Sequence, residues 1–270
     1  MASLKMFCLD LHNSDYDKIS SIGYTPVGLG DAQFDNRWIR DNTLENISTK
    51  NKKYGEYTFH YWVWKNMLKE IEDNTWIGFC AYRRFWSQNK DCRSILTKND
   101  MLRSIPEEWN KNSVILGQHI FMDGWTLMKI VKHGLKPLLK DPKFIFEKNR
   151  NLKFHFDSYH GATNLTKAIE LLDKNERKDF HDFMNNNNSF NRGNMFICNS
   201  KKMINDYYES IFPWLKRCEK IFGLDVKGEY GSDRIYGFLA ERYMSYWFNK
   251  YSKVTVWPII FYDINKNELK

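Results

Sequence analysis

Trp76-Ile77-Gly78-Phe79-Cys80-Ala81-Tyr82-Arg83-Arg84-Phe85 is an apolar run long enough for one strand, closed by two adjacent arginines between aromatic residues. A strand buried on both faces reads as a continuous apolar run rather than an alternating one. In open α/β sheets, ligands settle just beyond the carboxyl ends of such strands. Guanidiniums placed there match a phosphate or carboxylate through paired hydrogen bonds. The same arginines would serve equally in a solvated loop, paired with nearby acids. What lies around them decides between the two.

Working outward, Lys5 to Asp10, Ser113 to Gly117, Asn194 to Cys198 and Val254 to Phe261 are further apolar runs of strand length. Helical patterns separate them. From Tyr54 to Ile71, the residues Tyr54, Tyr57, Tyr61, Trp64, Leu68 and Ile71 step by three and four, the stripe of one amphipathic helix. Ser200 is placed to cap a helix running toward Gly223, bent or split at Pro213. Ser232, with Asp233 in the first turn, opens another in which Ile235, Leu239, Tyr243 and Tyr246 share a face. Strands alternating with helices predict an α/β fold, a mostly parallel sheet flanked by helices. Residues 117–190 are less regular, with a polar tract at Asn185 to Asn188, and read as a helical insertion over one end of the sheet. With neither repeat nor linker, residues 1–270 are expected to form a single domain.

Composition narrows the function classes. At 42% hydrophobic and 16% aromatic, with ten Trp, 270 residues suffice for a sizeable core and disorder is excluded. Met1 to Phe7 lacks the apolar stretch of a signal peptide, and no run approaches the ~20 residues of a membrane span. A cytoplasmic location is expected. Five scattered cysteines, none in a C-x-x-C pair, suggest neither zinc site nor disulfide framework. The formal charge of +8 favours anionic partners without choosing among nucleotides, lipid phosphates or nucleic acid.

Asp41 to Glu56 is dense in amides, hydroxyls and lysines before a helix start, a composition suited to an anion and equally to a capped surface turn. Here the residues carry a resemblance. The blocks are Asn46-Ile47-Ser48-x-x-Asn51-x-x-Tyr54-Gly55-Glu56-x-Thr58-x-x-Tyr61-Trp62-x-Trp64-Lys65-Asn66, then Ile77-Gly78-Phe79-Cys80-x-Tyr82-Arg83-Arg84-Phe85, Asn194-Met195-Phe196-Ile197 and Tyr236-Gly237-Phe238-Leu239-Ala240-Glu241-Arg242. In this order they resemble an uncharacterised-domain family of bacterial capsular and exopolysaccharide biosynthesis proteins, regarded as glycosyltransferases of the GT-A type.

The resemblance implies a GT-A-like fold and a nucleoside diphosphate sugar as donor. It also implies a lipid-linked or glycan acceptor for capsule, lipopolysaccharide or exopolysaccharide. Tyr82, Arg83, Arg84, Asn46, Lys50, Asn51, Glu56 and Lys65 are expected at the donor, and Asn194, Asp123, His160 and Arg242 at the acceptor; all but Lys50, Asp123 and His160 stand at matched positions of the blocks. Relatives carry His where this chain has Ala81. GT-A enzymes commonly keep a metal-binding Asp-x-Asp after the strand where this chain has Tyr82-Arg83-Arg84. Arginines there would neutralise the leaving diphosphate without a cofactor or divalent metal.

The Asp15-Tyr16-Asp17 that does occur is expected to be a turn. An inverting transfer needs a carboxylate base, for which Glu241 and Asp233 are the candidates chosen over Asp123 and Asp157. His155, Asp157, Tyr159 and His160 match no common zinc spacing, so exposed histidines in a polar loop are expected there. The charge would hold the protein at the anionic inner face of the membrane. The alternative is a non-catalytic glycan- or nucleic-acid-binding protein, although no nucleic-acid recognition motif is present and no such partner is expected.

Overall fold

The structure, a computed structural model, describes residues 2–91, 100–111, 113–122, 139, 142, 151–224, 233–266 and 268–269. The run that decides the fold is a strand, β4 (Thr75–Ala81). Beside it lie β1 (Ser3–Asp10), β2 (Thr25–Gly28) and β3 (Ile39–Arg40), all parallel to one another. On its other side come β9 (Phe196–Cys198), β6 (Val114–Gly117) and β10 (Val254–Trp257), so the sheet order is β10-β6-β9-β4-β1-β2-β3. Along this order the expected mostly parallel sheet is present with β9 reversed, pairing antiparallel with both β4 and β6.

Successive side chains of the inner strands enter different cores. Phe7, Leu9, Ile77 and Phe79 join the helices on one face, whereas Met6, Cys8, Trp76 and Cys80 pack with Trp86, Trp109 and Trp257 on the other. Both faces being dry explains the unbroken apolar run. Each such side chain contributes roughly 1.5–3 kcal/mol by leaving water.

Six further helices and a strand pair are described before the long carboxyl-terminal helices. They are α1 (Tyr16–Ser21), α2 (Asn51–Tyr54), α3 (Tyr57–Asn66), α4 (Leu152–His160), α5 (Asn164–Glu170) and α6 (Lys174–Asn186), with the paired strands β7 (His119–Phe121) and β8 (Ser189–Asn191) closing the insertion. α7 (Lys201–Phe222) and α8 (Ile235–Tyr251) follow. None of the described helices is long and apolar enough to cross a membrane. Asp123 and Ser232 lie outside the described residues.

Five local readings are corrected. The helix expected from Tyr54 to Ile71 is broken at Gly55, whose φ of +60° is accessible to glycine at little cost. A Cβ there would sit 2.2 Å from the Arg234 guanidinium. α7 runs unbroken through Pro213, capped by Ser200, whose hydroxyl accepts from the Met203 N–H. Val254 to Phe261 is two strands, because Pro258 lacks the N–H that a continuous ladder requires. Finally, the chain beyond β4 reverses at Tyr82-Arg83, and Arg84 opens β5 (Arg84–Trp86), which pairs with β11 (Ile259–Asp263). β11 also pairs with β12 (Glu268–Leu269). Asp15 is neither metal ligand nor simple turn but the cap of α1, accepting from the Lys18 N–H.

Candidate functional site

A cleft of about 590 Å³ opens at the carboxyl ends of β1 and β4. Its residues arrive from six places in the chain. Asp10, fully buried at the end of β1, accepts the N–H groups of His12 at 2.6 Å and Ser14 at 2.7 Å, and this turn sets Leu11 and His12 at the rim. The reversal after β4 supplies Ala81, Tyr82, Arg83 and Arg84. The break at Gly55 turns Glu56 inward at the start of α3. Gly193 and Asn194 come from the link into β9, and Phe261 from β11. α8 and the residue before it present Arg234, Gly237, Phe238 and Glu241 on one face at helical spacing. Gly237 lets α8 approach closely: a Cβ there would stand 3.2 Å from the Tyr54 carbonyl.

The charges divide into spent and unspent. Arg83 pairs with the buried Asp263 at 3.3 Å and lies over the Tyr82 ring. Arg234 donates to Glu56 at 3.1 Å. Burial works against the Glu56 carboxylate, but Arg234, Asn194 and Arg84 together bring its pKa below the usual value, so it is ionised at neutral pH. Glu241 accepts the Gly193 N–H at 2.8 Å through one oxygen and pairs with buried Arg242 through the other. A carboxylate offers about four lone-pair sites, so both oxygens keep one for a ligand. Arg84, by contrast, forms no ion pair with any described carboxylate.

A buried column ties this floor to the core. Asn194 donates to Glu56 at 3.4 Å and to the Gly237 carbonyl at 3.3 Å, while its side-chain oxygen is buried without a partner. The Asn194 carbonyl faces His60 Nε2 at 3.3 Å, and His60 Nδ1 lies 2.8 Å from the Tyr208 hydroxyl. A carbonyl only accepts, so Nε2 carries the proton and Nδ1 accepts from Tyr208. Burial pulls His60 down to about 4, which keeps it neutral in this role.

Of the residues expected from sequence, the cleft gathers Tyr82, Arg83, Arg84, Glu56, Asn194 and Glu241. The others lie elsewhere. Lys50 pairs with Glu219 at 2.7 Å and, with Lys65, borders a separate cavity of about 390 Å³ against Trp64 and Phe212. Lys65 sits 3.7 Å over the Trp64 ring. Asn46 folds onto its own turn, accepting from Ser48 and donating to the Leu44 carbonyl. Asn51 donates to Gly55 and Thr58. Asp233 pairs with Lys53 on the surface.

The histidines expected to be exposed are not: α4 buries His160 face to face on Phe238, 4.1 Å away, so it supports the cleft wall from behind. His155 is also withdrawn; burial and Arg242 hold its pKa well below the usual value. Arg242 itself is 2% exposed among Phe156, Phe190 and Phe238. Among the tryptophans, Trp62 and Trp86 are core, each donating its N–H to a backbone carbonyl.

Sequence reading missed Arg234 as a partner of Glu56, the rim residues Leu11 and His12, and Phe261. Arg234 shares the face of Glu241 in sequence, which is its one visible signal; its actual partner lies across the cleft on α3. Among the described residues, no three His, Cys, Asp or Glu side chains converge as a metal-ion site.

Comparison with known proteins is consistent with this architecture. A model of the domain family DUF4422, a domain of unknown function, matches residues 9–253. No curated protein matches the chain by sequence. The fold is similar to the apo structure of WbbM, a bifunctional glycosyltransferase, with a TM-score of 0.68 at 20% identity over 96% of this chain. The chain spans 45% of the length of that structure's chain.

Proposed function

The chain belongs to the DUF4422 family, and on that premise we propose that it is a glycosyltransferase whose cleft binds a nucleoside diphosphate sugar and a saccharide acceptor. The observation that carries the proposal is the gathering, in one cleft at the carboxyl ends of the strands, of Arg83, Arg84 and Arg234 with the oriented carboxylate of Glu241. Ligands of open α/β sheets bind at this end. A fold shared with a bifunctional glycosyltransferase supports the reaction class.

In this reading the donor diphosphate lies at the Tyr82 to Arg84 turn. Guanidiniums take up the charge that develops as the bond from sugar to diphosphate breaks, an electrostatic role that needs no divalent metal. Glu241 accepts the proton of the attacking acceptor hydroxyl, its orientation fixed by the Gly193 N–H and Arg242. Glu56 and Asn194, joined to Arg234, form the floor between the two substrates. The acceptor is a glycan or a lipid-linked saccharide of a cell-surface polymer, met at an anionic membrane face that the net charge of +8 favours.

The test is a thermal-shift screen against nucleoside diphosphate sugars, run in EDTA and again with manganese. A donor that raises Tm in EDTA supports both the donor site and its independence of metal. Stabilisation seen only with manganese removes the second half, and no stabilisation by any donor removes the first.

A further inference from the structure

Arg192 follows β8 and was signalled by no motif, yet its guanidinium lies 4.7 Å from the Phe261 ring centroid, on the residue that is the β-ladder partner of Arg84. The Arg84 guanidinium lies 5.7 Å from the same centroid. The two arginines are therefore neighbours through one ring, and Arg84 Nη1 comes within 3.8 Å of the point that a Cβ on Gly193 would occupy. Like charges so arranged repel, and their mutual effect is visible: burial first, then Arg84, lowers the pKa of Arg192, against the opposing pull of Glu241. Neither guanidinium has an ion-pair partner among the described carboxylates. Arg83, the other arginine of the turn, is already bound to Asp263.

We propose that Arg84 and Arg192, rather than Arg83 and Arg84, form an anion clamp at the edge of the cleft and take between them the terminal phosphate of the diphosphate, which carries one charge in the donor and gains a second as its bond to the sugar breaks. The inference rests on the donor reading above for the identity of the anion and on geometry for the pair. Phe261 supplies a flat apolar support on which both guanidiniums are carried, leaving N–H edges for oxygen. Arg84 is fixed on β5 and Phe261 on β11, so half of the clamp stands on paired strands rather than on a loop. A phosphate between the two cations converts a repulsive pair into charge-assisted hydrogen bonds. Arg83 instead holds the turn in place through Asp263.

Titration calorimetry with inorganic pyrophosphate, and in parallel with uridine, guanosine and thymidine diphosphates, separates the roles. R84Q and R192Q are each expected to weaken pyrophosphate by roughly 10- to 100-fold, the range for charge-assisted hydrogen bonds. R83Q should weaken it less than about threefold, an indirect effect of the kind a surface pair produces. R192K, which keeps the charge and loses the planar fork, should fall between wild type and R192Q, and serves as the readout if R192Q does not fold. Wild-type affinity in both Arg192 variants overturns the clamp and leaves the donor reading standing. Binding of pyrophosphate that depends on Arg84 and Arg192, with no nucleotide bound, keeps the clamp and removes the donor reading. A wild-type protein that binds no diphosphate at all removes both.

Discussion

Two cavities of this molecule have the composition of a binding site, and they differ in whether their charges are already spent. The cavity of about 390 Å³ beside α3 and α7 is bordered by Lys50, Lys65, Tyr61, Trp64 and Phe212, a set that composition would rank first for a nucleotide. Lys50 is held by Glu219, which also accepts from Tyr54, and Lys65 covers Trp64. In the cleft at the strand ends, Arg84 lines the wall and Arg192 lies against the same Phe261 ring, neither in an ion pair with a described carboxylate. A charge held in a direct ion pair serves the fold, whereas two neighbouring cations without one leave N–H edges for an anion. The number of basic residues is therefore a poorer guide than their partners.

The largest effect that could break this contrast is on turnover. E241Q should lower kcat by roughly 10²- to 10⁴-fold, the usual contribution of a general base, with donor affinity nearly unchanged. Stopped assays of nucleoside diphosphate release, beside calorimetry for the donor, would show it; an equal loss in both quantities would make Glu241 a binding residue instead. Next in size is pH. His60 has a folded pKa of about 4 against roughly 6.5 unfolded, so the unfolded chain takes up the proton first as the solution is acidified. Its contribution is complete above about pH 6.5 and is lost as pH falls toward 4, by about 3 kcal/mol. Urea unfolding of wild type and H60Q across that window should show the flatter pH dependence in the variant.

G55A tests how the break between α2 and α3 serves the cleft. The residue would be strained at φ +60° and its Cβ would collide with Arg234, at a cost of about 1–3 kcal/mol in urea unfolding. Smallest of all, K65A should change stability by less than about 0.5 kcal/mol, as expected for an exposed lysine, and should leave donor affinity unaltered. A large loss of donor affinity in K65A would reverse the ranking of the two cavities.

Much of the fold was legible because burial writes itself into composition. β1, β4 and β6 are covered on both faces, and each reads as an unbroken apolar run. β5 did not, since Arg84-Phe85-Trp86 is strand only through its partner β11, far along the chain. The reversed direction of β9 leaves no trace either, because three buried apolar residues look the same both ways. The split at Gly55 had a signal in the glycine itself, but its reason lies in Arg234.

The site followed the same rule. Tyr82 to Arg84, Asn194 and Glu241 stood in blocks that could be recognised, and the fold brings them together. Lys50, Asn51 and Asn46 stood in a block too, yet their partners turned out to be Glu219, Thr58 and their own backbone turn. Arg192 belonged to no block. Its proposed role rests on a ring contact with Phe261, which only the packing of β11 against β5 reveals.

The most direct measurement compares donor turnover in three proteins: wild type, R84A, and the double variant K50A/K65A. Release of nucleoside diphosphate from a donor sugar in EDTA is expected in wild type and the lysine variant at similar rates. In R84A it should fall by roughly 10²-fold or more, the scale of losing one preorganised contact to developing charge. Full activity in R84A, or loss of activity in the lysine variant alone, would contradict the placement of the reaction at the strand ends.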